Sequence, residues 1–302
     1  MPHSILEKLW QRTQNPGLKP ENDTWNKEIE TLYGLGISME TTLQYLYYDK
    51  PDFDTFLLWI DGKKKDSTGS KATIDNVLSD EDLAFWDANG YIIVKQAIAQ
   101  KDCKATQQAI WDFLEMDADD ATSWYKVHEQ QKGMMVNFAD HETLNRNRTS
   151  PRIRKAYEQL YKSAAIYKTI DKVSFNPPVT RSFRFMGSAL HWDISLKMPA
   201  PFALQGLLYL TDCGSEDGAF HCVPGFHNNI ESWLEQVQPH EKPRQKALET
   251  LQPIPITANA GDFIIWDSTL PHCASPNHGT VPRIVQYLTY LPNGYKASEE
   301  WK

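Results

Sequence analysis

His191 and Asp193 stand two residues apart in "ALHWDISLKMP", inside a stretch that otherwise reads as sheet interior. An extended strand sends residues i and i+2 to one face, so the imidazole and the carboxylate would point together while Trp192 points away. Two ligands do not make a metal site, and HxD alone is a weak motif whose ordinary use is a polar strand face. A third ligand has to come from elsewhere, and His221, His227, His240, His272 and His278 are the candidates in the later part of the chain. His272 follows the apolar run "GDFIIWDSTLP", where a Pro-led turn can aim the ring at a neighbouring strand. Two histidines and one carboxylate on one face of Fe(II), with the other positions open, form the facial triad of non-haem oxygenases. The open positions serve a chelating co-substrate and O2.

Arg283 follows His272 by eleven residues and opens the strand "RIVQYLTYLP", which is expected to pair beside the strand leading into His272. A guanidinium inside a barrel is costly without a partner, and a carboxylate satisfies it bidentately. A dicarboxylic co-substrate that chelates iron at one end places its second carboxylate there, which predicts 2-oxoglutarate. A structural ion pair is the competing use of such an Arg. Gln205 and Arg184, on the strands after and before His191, are further cavity candidates, as are Met134, Met135 and Asn137. Trp192 and Trp266 read as core, His221 as a structural hydrogen-bonding residue, and His278 as an exposed loop residue.

These side chains need a scaffold. Residues 1–60 carry apolar residues at helical spacing, and the Lys-, Ser- and Gly-rich stretch around residues 62–76 reads as a boundary. The expected division is 1–77, a helical extension, and 78–302, the unit that holds the site. "LSDEDLAFWDANGYIIVKQAI" reads as a helix capped by Ser79 with Asp82, an Asn-Gly turn and a strand, and a second helix follows it. Residues 119–150 show no clear period and are expected as a long loop or lid. A further helix starts at Ser150-Pro151. From about residue 170 short apolar runs alternate with turns, among them "DKVSFNP", "TRSFRFMG", "PFALQGLLYLTD" and "GDFIIWDS", which predicts an antiparallel barrel or sandwich.

Composition limits the partners. A net charge of -8 and a pI near 5.6 argue against nucleic acid, because phosphate binding needs concentrated Lys and Arg. There is no apolar run long enough to span a membrane and no apolar leader, so a cytoplasmic location is expected. The four cysteines, Cys103, Cys213, Cys222 and Cys273, form no CxxC pair and read as reduced thiols. No repeat or low-complexity tract is present.

The ordered set of HxD at 191–193, "EDGAFHCVPGFHNN", His272 and Arg283 resembles the phytanoyl-CoA dioxygenase family of Fe(II)- and 2-oxoglutarate-dependent oxygenases. The likeness covers residues 78–292 and includes the helix-strand-helix opening. It implies an α+β fold with a mainly β core: a double-stranded β-helix (jelly-roll, cupin-like) flanked by helices, here with the N-terminal helical extension. It also implies iron on His191, Asp193 and His272, and 2-oxoglutarate on Arg283. Two positions depart from the family pattern. Ala274 stands where a hydroxyl residue is usual two positions after the distal His, and Asn176 stands where a Lys is usual. Asn176 and Gln205 are the candidates for secondary 2-oxoglutarate contacts, with a solvent-facing place or a structural bond as the competing use of Gln205. Asp193 speaks against the halogenating relatives, which have a small residue there.

The expected activity is hydroxylation of a small organic substrate with release of succinate and CO2. Desaturation, cyclisation or epimerisation by the same cofactors, a metal- or ligand-binding barrel without turnover, and a zinc hydrolase are the alternatives. The extension has packing on the barrel, capping of the cavity, homo-oligomer formation and binding of a carrier partner open to it.

Overall fold

The computed structural model describes residues 2–15, 17–18, 24–63, 74–238 and 242–298. Most of the boundary stretch, residues 64–73, and the candidate His240 lie outside the described residues.

Four helices come first: α1 (Pro2–Gln14), α2 (Thr24–Gly34), α3 (Met39–Tyr48) and α4 (Phe53–Lys63). Their apolar stripes meet at Leu9, Leu32, Leu46, Phe56 and Ile60, a core separate from those of the sheets. Glu28 is buried on α2 against Arg12 of α1. Burial pushes its carboxyl up to about 7 in spite of that cation.

The predicted helix-strand-helix then appears as α5 (Asp80–Asn89), β1 (Tyr91–Val94) and α6 (Gln100–Leu114). Ser79 Oγ accepts from the Asp82 N–H, and the Asp82 carboxylate accepts from the Ser79 N–H. Gly90 ends α5 at φ 74°, and a Cβ there would lie 2.5 Å from the His227 ring. Both the backbone angle and the space thus require glycine.

Residues 119–150 are more ordered than a lid. They hold β2 (Gln131–Lys132), β3 (Met135–Val136) and α7 (Glu142–Arg148). Strands of two residues carry no readable period; β3 exists because it adds to a sheet edge, with Met135 opposite Ser174. Ser150 caps α8 (Pro151–Tyr161).

The β region contains β4 (Ile166–Lys168), β5 (Val173–Asn176), β6 (Leu204–Tyr209), β7 (Phe220–Cys222), β8 (Ile254–Ile256), β9 (Phe263–Asp267), β10 (His272–Ala274), β11 (Arg283–Tyr287) and β12 (Tyr290–Pro292). Helices α9 (Ile230–Gln236) and α10 (Pro243–Thr250) lie between β7 and β8. A seven-stranded sheet runs β1-β9-β6-β11-β5-β3-β2, a three-stranded sheet runs β10-β7-β8, and β12 pairs with β4. The period of two sorts the large sheet's side chains. Leu207, Tyr209, Ile264 and Trp266 pack toward Phe220, Cys222 and Ile256 of the small sheet. Leu208, Phe263 and Ile265 pack on the other face toward Ile110, Ile153 and Tyr157 of α6 and α8. Two facing antiparallel sheets with helices behind the larger one form the expected jelly-roll.

Two local expectations fail. "TRSFRFMG" is no strand but an irregular segment in which Arg184 is exposed. Gly187, at φ 80°, sits so close to β10 that a Cβ would lie 2.2 Å from the Ala274 carbonyl, and this approach replaces a ladder. Strand β11 does not pair beside β9, which leads into His272; β6 lies between them. Chain neighbours are separated because β6 exposes hydrogen-bonding edges to both, and in a jelly-roll the strand order is set across the sheet.

Candidate metal centre and cavity

His272 opens β10 at the edge of the small sheet, and His191 joins it through an isolated bridge. The His191 N–H meets the His272 carbonyl at 3.0 Å, and the return bond is 2.9 Å. Residues 189–199 are otherwise without strand structure. The alternation survives in the side chains all the same. Trp192 is buried beside Phe226 and Trp233 and donates its indole N–H to the Thr269 carbonyl at 2.7 Å, while His191 and Asp193 face the opposite way.

One ligand atom from each of His191, Asp193 and His272 lies within 4.8 Å of the others. Both rings are oriented from behind: His191 Nδ1 donates to the Ala189 carbonyl at 2.7 Å, and His272 Nδ1 donates to the Leu270 carbonyl at 3.1 Å. This leaves Nε2 of each ring facing Asp193, at 3.5 Å for His191 and 3.2 Å for His272. Gln205 Nε2 donates to Asp193 Oδ2 at 2.7 Å, and Gln205 Oε1 accepts from the Trp266 indole at 3.1 Å. Burial opposes ionisation of Asp193, but the bonds from His191, His272 and Gln205 outweigh it and hold its carboxyl well below the usual range. The hydrogen bond to Asp193 in turn raises the His191 imidazole. The donor set, one hard carboxylate and two imidazoles with fixed tautomers, fits Fe(II).

These residues line a cavity of about 620 Å³ that also reaches Arg283 on β11 and the Gln205 side chain on β6. Arg283 is 1% exposed, and none of its three guanidinium nitrogens has a hydrogen-bond partner in the protein. The Tyr209 ring lies under it at 5.4 Å, and no carboxylate pairs with it among the described residues. The structural ion pair considered for Arg283 is therefore not formed. A buried, unpartnered fork of donors on the wall of a cavity fits a ligand carboxylate. Asn176 lies opposite Arg283 in register and is fully buried, with both side-chain polar atoms unpartnered, but it does not line the cavity.

Met134 and Met135 line the cavity, and Asn137 and Arg184 do not. Trp266 combines the expected core position with a place on the cavity wall. His221 and His227 bond to the Ala219 and Asp87 carbonyls, and His278 is exposed. Two positions escaped sequence reading. Ser188 lines the cavity and its hydroxyl accepts from the Ala274 N–H at 2.9 Å, bringing a hydroxyl to the place where Ala274 has none. Arg244, on α10, donates to the Trp192 and Ile194 carbonyls. Neither carries a signal in the sequence, because both contacts join segments distant in the chain.

A jelly-roll holding two histidines and an aspartate beside a buried, unpartnered arginine defines the architecture of a facial-triad oxygenase. The family model for phytanoyl-CoA dioxygenase (PhyH) matches residues 86–285, more than half of the chain, and the chain belongs to that family. It is thereby an enzyme of the non-haem iron, 2-oxoglutarate-dependent oxygenase class. A Dictyostelium discoideum protein named for the same family is 19% identical over 258 residues, covering 69% of this chain and 74% of its own. Among solved structures, EctD from S. alaskensis superposes with TM-score 0.55 at 18% identity, over 78% of this chain and 84% of EctD. The epimerase SnoN, solved with Fe3+, alpha ketoglutarate and nogalamycin RO, gives TM-score 0.52 at 19% identity, over 70% of this chain and 82% of its own. At such identities these structures bear on the fold alone. No helix among the described residues is long and apolar enough to cross a membrane.

Proposed function

We propose that the chain hydroxylates a small organic substrate, with 2-oxoglutarate and O2 as co-substrates and succinate and CO2 as co-products. The observation that carries this reading is the placement of Arg283: its buried, unpartnered guanidinium opens on the cavity that holds His191, Asp193 and His272. A zinc hydrolase has no use for such a group.

In this reading His191 Nε2, Asp193 and His272 Nε2 hold iron, and Arg283 binds the carboxylate of 2-oxoglutarate remote from it. When bound, iron supplies the oxidation, in which one atom of O2 ends in succinate and the other in the hydroxylated product. Gln205 keeps the Asp193 carboxylate turned toward the two rings. Phe220, Leu207 and Trp266 form an apolar wall that limits water near the reacting carbon. A cavity of about 620 Å³ suits a small molecule together with the co-substrate. Ser188 is a further donor to the co-substrate and Gln205 acts through Asp193, whereas Asn176, which does not line the cavity, makes no direct contact with the co-substrate.

We also propose residues 1–77 as a unit distinct from 78–302, which the separate core of α1–α4 supports. A reducing, cytoplasmic setting agrees with four free cysteines.

The test is a metabolite screen by mass spectrometry with Fe(II), 2-oxoglutarate and O2. Hydroxylation requires a substrate-dependent gain of one oxygen, matched by succinate. A loss of two hydrogens points to desaturation or ring closure, and an isomer of unchanged mass to epimerisation. Succinate no higher than in a His191→Ala control would leave only a binding barrel.

A further inference from the structure

The aspartate of the triad sits on backbone that belongs to no strand. His191 is bridged to β10, but from Trp192 to Ala200 the chain joins no strand. Peptide groups outside a ladder still need partners, and a ligand two residues past its last bridge is free to rotate away. Arg244, in the first turn of α10, meets that need. Its Nη1 donates to the Trp192 carbonyl and its Nη2 to the Ile194 carbonyl, both at 2.8 Å. These two carbonyls flank Asp193. The planar fork of a guanidinium fixes both at once, which an ammonium on a flexible stem does not do.

We infer that Arg244 is a positioning residue for the metal centre, a clamp that locks the backbone on both sides of Asp193 so that its carboxylate faces His191 and His272. The inference rests on the iron reading above. Three contacts then hold the ligand from different directions: Arg244 on the main chain, Gln205 on Oδ2, and the Trp192 indole bond to Thr269, which anchors the opposite side of the strand-like turn. Arg244 donates to main-chain carbonyls on either side of Asp193, so its loss acts through the placement of Asp193 as well as through the charge it sets near that carboxylate. Groups that orient a ligand in this way typically contribute ten- to a hundredfold in metal affinity.

The full chain, freed of metal with a chelator, is titrated with Co(II), and the visible absorption band of the bound ion is recorded. Wild type, Arg244→Ala, Arg244→Lys and Gln245→Ala are compared; Gln245 is on the same helix and bonds to Glu249 in solvent. The expected result is a roughly ten- to hundredfold weaker Co(II) affinity and an altered band in both Arg244 variants, with Gln245→Ala like wild type. Thermal unfolding of the metal-free chains supplies a readout of structure alone, and it should change far less than Co(II) affinity. Wild-type affinity and band in Arg244→Lys would show that positive charge suffices and overturn the clamp, as would wild-type affinity in Arg244→Ala. Failure of the wild type itself to bind Co(II) would overturn the metal reading, and the clamp with it.

Discussion

Gln205 and Asp193 are joined by a 2.7 Å hydrogen bond from the Gln205 amide to Asp193 Oδ2, so strand β6 of the large sheet holds a ligand carried by an irregular loop. The Trp266 indole of β9 fixes the same amide from its other end at 3.1 Å. Gln205→Leu removes the donor and leaves the apolar volume. Metal affinity should fall roughly tenfold, measured by Co(II) titration, while 2-oxoglutarate affinity of the loaded chain stays near wild type. A selective loss of 2-oxoglutarate binding would instead assign Gln205 to the co-substrate.

Arg283 gives the opposite pattern. Arg283→Met should leave Co(II) affinity within a few-fold of wild type and raise the 2-oxoglutarate concentration needed for half-saturation on the order of a hundredfold or more, since losing one partner of a buried charged pair costs about 2–5 kcal/mol. Arg283→Lys should recover only part of that, because an ammonium cannot present the bidentate fork. Equilibrium binding of labelled 2-oxoglutarate measures both.

Metal removal separates the oxygenase from a hydrolase. Chelation should abolish succinate formation, Fe(II) should restore it, and Zn(II) should occupy the site without restoring it. His272→Ala should remain inactive whichever metal is added. Turnover in Zn(II) without O2 would sink the oxygenase reading.

Glu28 sets a pH dependence far from the site. Its folded pKa is raised to about 7 from 4.5, so the folded chain holds this proton more tightly than the unfolded one. The contribution is therefore complete below about pH 4.5 and fades as pH rises to about 7. Urea midpoints of wild type and Glu28→Gln, followed by tryptophan fluorescence between pH 5 and 8, should diverge with rising pH in favour of the variant. Parallel curves would show that Arg12 fully compensates the buried charge.

Lys172 of the cavity wall forms an ion pair with Glu40 at 2.9 Å, joining α3 to the segment that leads into β5. Both side chains are partly exposed, at 38% and 44%, so Glu40→Gln should cost less than about 1 kcal/mol in stability. Thermal unfolding checks this, and a larger loss would mean that the seam is held chiefly by this pair.

Some of this protein is local in the chain, and the sequence determines it unaided. The capping box of Ser79 and Asp82 and the helix start at Ser150 each depend on residues a few positions apart. The period of two in "LQGLLY" and "FIIWD" sorts Leu207 and Ile264 from Leu208 and Phe263 without any tertiary information. The order of HxD, His272 and Arg283 likewise names the three side chains that cluster and the arginine that shares their cavity. Strand order was not legible, because β11 and β9 are separated by β6 through hydrogen bonds that span the sheet. Nor was the order within residues 119–150, where two-residue strands form only when an edge is present to receive them. The contacts of Gln205, Ser188 and Arg244 belong to the same category. Each is a polar group whose partner is far away in sequence and is chosen by how the sheets and α10 pack, so only the tertiary structure decides that the triad's aspartate is held from three sides.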